Sequence, residues 1–109
     1  MPEPRFSQLS AQRQALIRQC QRMGFGKILR LEVCDCQPAF GPGTEVLLDV
    51  KLDSVETRRP EQDLADFVLC AAVSRFLEQL DSIRNGSVEQ IEVRAGIPVR
   101  MIFKASVNV

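Results

Sequence analysis

Asn85-Gly86-Ser87-Val88-Glu89-Gln90-Ile91-Glu92-Val93-Arg94, Ala95-Gly96-Ile97-Pro98 and Val99-Arg100-Met101-Ile102-Phe103-Lys104 form the stretch around which the chain is organised. Asn-Gly ends a helix, because few other residues tolerate the left-handed backbone of a helix stop. The residues after it alternate toward Arg94, and a short Gly-containing turn reverses the chain. In the return strand Val99, Met101, Phe103, Ala105 and Val107 make one apolar face. Arg100, Lys104, Ser106 and Asn108 oppose it, with Ile102 the exception. Pro98 stands at the strand entrance, where a missing N–H does least harm.

Working outward, a degenerate copy of the same unit precedes it by about 60 residues. Residues 1–6 read as a loose leader, and Ser7 or Ser10 as a helix cap. Leu16, Ile17, Cys20 and Met23 recur at the spacing of one helical stripe, and Gly24 suits the C-terminal stop. Lys27 to Cys34 then alternates, with Leu29, Leu31 and Val33 on one side and Arg30, Glu32 and Cys34 on the other. The loop 35–44 holds two Pro and two Gly and is expected to be irregular. Glu45 to Asp53 alternates again, with Val46, Leu48, Val50 and Leu52 on one face. Residues 54–62 make a polar linker. A second helix is expected from near Asp63 to about Arg84, its first half apolar almost all round and therefore buried on more than one side.

Aligning the halves sets Leu16, Ile17, Cys20 and Met23 on Phe76, Leu77, Leu80 and Ile83, Gly26 on Gly86, and residues 28–33 on 88–93. Residues 46–51 fall on 99–104 if the first loop is the longer. The shared pattern predicts one α+β domain over residues 1–109 built as α-β-β-α-β-β. Two helices would lie on one face of a four-stranded, mainly antiparallel sheet.

Composition narrows function by exclusion. Basic and acidic residues number 14 each, whereas proteins that hold nucleic acid through its phosphates carry a basic excess. There is no His, Trp or Tyr, so His-activated nucleophiles and His metal ligands are excluded. The N-terminus has no apolar signal segment, which makes the cytoplasm the expected location. The four Cys (20, 34, 36, 70) are then expected as thiols.

Residues 64–105 resemble the YezD-like family of short bacterial proteins of unknown function. The likeness rests on Gly86-Ser87-Val88 after a helix, the alternating strand to Arg94, the tight turn and Val99-Arg100-Met101-Ile102. It implies a fold and no chemistry.

Three functional readings follow. The leading one is a non-catalytic interaction module without a cofactor. It would self-associate, as a homodimer, through the second helix or a sheet edge such as Val107-Asn108-Val109, and bind a protein or small ligand. Phe40, in the first loop, is a candidate contact. The alternative is a nucleic-acid-associated regulator using Arg30, Lys51, Arg94, Arg100 and Lys104 on a solvated sheet face, against ordinary cross-strand ion pairs. The third uses Cys34 and Cys36, two thiols at i, i+2 on a strand, as a soft-metal or redox pair, against ordinary residues at a strand end. Asp63, Asp66, Glu78, Asp81 and Arg58-Arg59 show no acid–base spacing, so no enzyme is expected.

Overall fold

The computed structural model describes residues 4–50, 52 and 66–104. A 3₁₀ turn (Phe6–Gln8) leads into helix α1 (Ala11–Met23), followed by strands β1 (Gly26–Cys34), β2 (Gln37–Ala39) and β3 (Glu45–Leu48). Helix α2 (Ala71–Ile83) and strands β4 (Gly86–Arg94) and β5 (Ile97–Phe103) complete it. All pairings are antiparallel, in the order β2-β1-β4-β5, with β3 also paired to β1. Among the described residues the sheet has five strands rather than four, because the first return path is split into β2 and β3. Leu16, Ile17 and Cys20 of α1 and Phe76, Leu77 and Leu80 of α2 share one core with Ile28, Leu31, Val88 and Ile91. Both helices therefore cover the same face.

The helix termini follow from local chemistry. Ser10 caps α1, its side chain accepting from the Arg13 N–H, which satisfies one of the first turn's orphan donors. Gly24 ends α1 at φ +72. At the matching end of α2 the residue is Arg84, at φ +62, so the left-handed stop falls one residue before the expected Asn-Gly pair.

The expected second helix began too early. Residues 63–65 lie outside the described set, and the segment after Asp66 is extended up to Cys70, the N-cap of α2. Backbone bonds to the N-terminal segment hold it: Phe6 N–H donates to Phe67 O and Leu69 N–H to Pro4 O, both at 2.9 Å. Phe6 and Phe67 stack at 4.9 Å, with the Arg18 guanidinium 4.2 Å over Phe6. Phe6 is thus buried core rather than loose leader. The part of the sequence that looked apolar all round is mostly not helical. α2 buries one stripe (Val73, Phe76, Leu77, Leu80) and exposes Arg75, Glu78, Gln79 and Asp81. Cys70 is exposed at the cap.

The faces of β1 also differ from simple alternation. Ile28, Leu31 and Val33 are buried, and Leu29 is only partly covered. Arg30 adopts φ +56, and this left-handed residue breaks the two-residue period, so the core face passes from even to odd positions.

The first hairpin is tighter than expected. Cys34 pairs with Gln37, leaving Asp35 and Cys36 as a two-residue turn with φ +52 and +66. The second hairpin has the same construction: Arg94 pairs with Ile97 around Ala95 and Gly96, at φ +52 and +76. Two central residues with positive φ match the twist of the strands they join. The residues expected as loop therefore include β2, and its counterpart in sequence is the start of β5, so that Pro38 answers Pro98. Both are buried. The extra residues of the first unit come later, at Gly41–Gly43, between β2 and β3.

Candidate interaction edge

The nominated residues are dispersed rather than gathered. Arg30 Nε donates to the Gly43 carbonyl (2.9 Å), and its Nη2 pairs with Glu45 at 2.5 Å. Thr44 Oγ1 donates to the Arg30 carbonyl and accepts from the Gly41 N–H. Arg30 is thereby committed to holding the excursion 41–44 against β1. Arg94 pairs with Glu92, Lys104 reaches Glu89 at 3.8 Å, and Arg100 stands opposite Glu92 in the register. Each of these cations has a carboxylate close by on its own strand or across from it, the ordinary pairing of a charged sheet face. Lys51, Val107, Asn108 and Val109 lie outside the described residues, as do Arg58, Arg59 and Asp63. Phe40 is half exposed at the end of β2.

Cys34 and Cys36 do not project from a strand to one side. Cys34 ends β1 in solvent, whereas Cys36 is the second turn residue. The Cys36 thiol donates to the Asp81 carbonyl at 3.6 Å, and its N–H donates to the Arg84 carbonyl at 2.8 Å. From the other side Arg13 Nη2 donates to the Cys36 carbonyl (2.9 Å) and forms an ion pair with Asp81. The turn is a junction between the two helices. No group of three or more potential metal ligands occurs among the described residues. Cys20 is enclosed in the core, and burial pushes its thiol up to about 12, so it stays protonated and unreactive. Asp66 accepts from Arg5 Nε (2.7 Å) and the Ser7 N–H (2.8 Å). The Arg5 hydrogen bond, followed by that of Ser7, lowers its carboxyl to about 2.

What the sequence reading missed is β3. Val46, Leu48, Val50 and Leu52 were expected to face the core, yet Leu48 is 62% exposed and Leu52 95%. Leu47, on the opposite face, is also exposed. Among the described residues β3 is paired on one side only, to β1 through Gly26–Leu29. Gly26 makes that approach feasible: a Cβ there would lie 2.1 Å from the Leu47 carbonyl oxygen. The last residues of β3 also border an open hollow of about 490 Å³ with Phe25, Lys27, Asp49, Glu92 and Arg94 around it. Its charges balance, which suits contact with a mixed polar surface better than with a polyanion. A row of exposed Val and Leu on an edge strand is an unusual surface for a monomer, since lone edges are normally blunted by charge, Pro or a cover. The signal available in the sequence was the Gly-Pro-Gly before the strand, which uncouples it from the hairpin.

No family model matches the chain, and comparison with curated proteins and with solved structures also gives no match. Among the described residues no helix is long and apolar enough to cross a membrane.

Proposed function

We propose that this protein is a non-catalytic, cytoplasmic interaction module that works by strand addition, with β3 as the edge that receives a partner strand. The observation that carries the reading is β3 itself: four consecutive exposed residues, three of them Val or Leu, in a strand that among the described residues is paired on one side. In strand addition the backbone supplies affinity and alternate side chains supply selectivity. Val46, Leu47 and Leu48 provide apolar contacts on both faces of such a joint. Self-association belongs to this reading and is assigned to the sheet edge, because α2 buries a single stripe and presents a polar outer side. The charged sheet face supports a nucleic-acid role less well, since Arg30, Arg94 and Lys104 are each paired with a carboxylate. The YezD-like resemblance adds a fold expectation for residues 64–105 and leaves this reading unchanged.

A photo-crosslinking amino acid placed at Leu48, compared with one at Val99 on the opposite edge, tests the proposal in living cells. Leu48 and Val99 are similarly exposed. Crosslinked protein adducts concentrated at Leu48 are the expected result; equal yields at the two positions overturn the assignment.

A further inference from the structure

We infer that the strand received by β3 is the β3 of a second copy of this chain, antiparallel about a two-fold axis at Leu48, so that two sheets become one. The inference rests on the edge reading above and names its partner. Asp49 N–H donates to the Phe25 carbonyl at 2.9 Å. By the alternation of an antiparallel ladder, Leu47 and Glu45 also turn their backbone groups toward β1, and Val46 and Leu48 turn theirs outward.

A two-fold axis perpendicular to the sheet restricts the register. Opposite residues of an antiparallel pair share a face, so the axis must pass at a residue rather than between two. Four centres lie within β3. At Glu45 the carboxylate would meet its own copy. At Leu47, Glu45 opposes Asp49 twice, setting like charges face to face. At Val46, Leu48 meets Thr44 and the apolar run is only half used. At Leu48, Leu48 opposes itself and Val46 opposes Val50 on either side, which places three apolar rungs in a row. The centre at Leu48 also removes the Glu45–Asp49 clash. The segment from Val46 to Val50 is complementary to itself about Leu48, a property that a foreign peptide partner does not require.

The chain already contains a joint of this kind. Gly26 lies opposite Val93 and Val33 opposite Gly86, so equivalent residues of the two halves pair reciprocally across β1 and β4. The other outer edge is a poorer template. β5 carries Pro98 near its start and two register shifts, features that spoil edge pairing. Pairing β3 to the β5 of another copy would also leave a free edge at each end and grow into filaments.

The test uses the full chain in sedimentation velocity over a concentration series, with three readouts. Wild type is expected to form a closed dimer. Leu48→Lys, at a position exposed enough to leave circular dichroism unchanged, is expected to weaken it by about tenfold or more. Amide hydrogen exchange at Val46 and Leu48 is expected to slow as concentration rises. In a Cys34→Ser/Cys36→Ser/Cys70→Ser background, Leu48→Cys is expected to oxidise to a covalent dimer and Asp49→Cys is not, because a residue on the axis meets its own copy at about 5.5 Å between Cα atoms, within disulfide reach. A wild-type monomer at every concentration overturns the second-copy inference. If the Leu48 crosslinker still captures a different protein in that case, the edge reading survives and only this partner fails. A dimer indifferent to Leu48→Lys overturns both, and crosslinking at Asp49 rather than Leu48 overturns the register.

Discussion

The two halves of the chain solve the same problem twice with different residues. Their helices and long strands sit 60 residues apart (11 and 71, 26 and 86), and so do their two-residue turns (35 and 95). The buried positions Leu16, Ile17, Cys20, Ile28, Leu31 and Val33 answer Phe76, Leu77, Leu80, Val88, Ile91 and Val93. Even the tethers correspond, since Cys36 N–H donates to the Arg84 carbonyl and Gly96 N–H to the Gly24 carbonyl, both at 2.8 Å. The halves part after the turn. In the second, β5 runs on from Ile97 to Phe103 with Met101 packed on the core. In the first, Gly41–Gly43 interrupts the strand, and what resumes as β3 lies exposed beyond it. Equivalent scaffolds thus show what was altered: one edge stayed part of the fold and the other was released from it.

Substitutions at equivalent positions put that contrast under strain. Gly26 and Gly86 have nearly the same φ, +156 and +155, but a Cβ at Gly26 collides with the Leu47 carbonyl while the nearest atom to one at Gly86 is 3.6 Å away. Gly26→Ala is expected to cost about 4 kcal/mol and Gly86→Ala about 1–2, the backbone conformation being shared and the collision not. Urea denaturation measures both, and equal losses would mean that β3 is not held against Gly26. Next in size is the core pair. Leu80→Ala is expected to cost about 3 kcal/mol and Cys20→Ala about 1, since the larger side chain leaves the larger cavity. In the same protein, Cys34 and Cys70 should label with a thiol reagent in the native state, and Cys20 only after unfolding.

The helix caps are a smaller lever. Ser10 makes its capping bond and Cys70 makes none. Ser10→Ala should destabilise by about 1 kcal/mol, and Cys70→Ser should stabilise by about 0.5–1; thermal melts showing the same sign for both would break the correspondence. The smallest effect is acid dependence. The Asp66 carboxyl, held below its ordinary 3.8 by Arg5 and Ser7, contributes stability above that value. The contribution fades as pH falls from about 4 toward about 2. Asp66→Asn should flatten the acid limb of stability against pH and change little at neutrality.

Much of the scaffold was readable in advance because it obeys local rules. The stripe Leu16, Ile17, Cys20, Met23 and the stops at Gly24 and before Gly86 need only helical spacing and tolerance of positive φ. Three features were hidden, each for a physical reason. Phe67–Leu69 reads as helix by composition, but its pairing with Pro4 and Phe6, some 60 residues away in sequence, overrides the local preference. Arg30 carries no propensity for the left-handed region, so the change of face it imposes on β1 could not be seen from alternation. The exposure of Val46 and Leu48 depends on what covers them, and no pattern along one strand records that. Of the residues nominated by charge and thiol chemistry, Arg30, Arg94 and Lys104 stand in ion pairs and Cys36 in a turn, whereas the edge advertised itself only through Gly-Pro-Gly.

The excursion at Gly41–Gly43 can also be read as a matter of phase. Arg30 shifts the core face of β1 between odd and even positions, so the strand alongside must change phase as well or present the wrong side. In the second half a surplus residue of β5, Val99, falls between the Val93–Pro98 and Glu92–Arg100 pairs, and a second shift between Val88 and Gln90 restores the register. In the first half three surplus residues take the register from Glu32–Ala39 to Leu29–Glu45. Three is odd, which keeps Val46, opposite Ile28, on the same face as Pro38, opposite Val33. Removing two residues from the excursion would keep Val46 and Leu48 on their present side. Removing one or three would invert β3 and turn Leu47 to the side that Val46 and Leu48 now occupy. The length of this insertion is therefore free to drift only in steps of two.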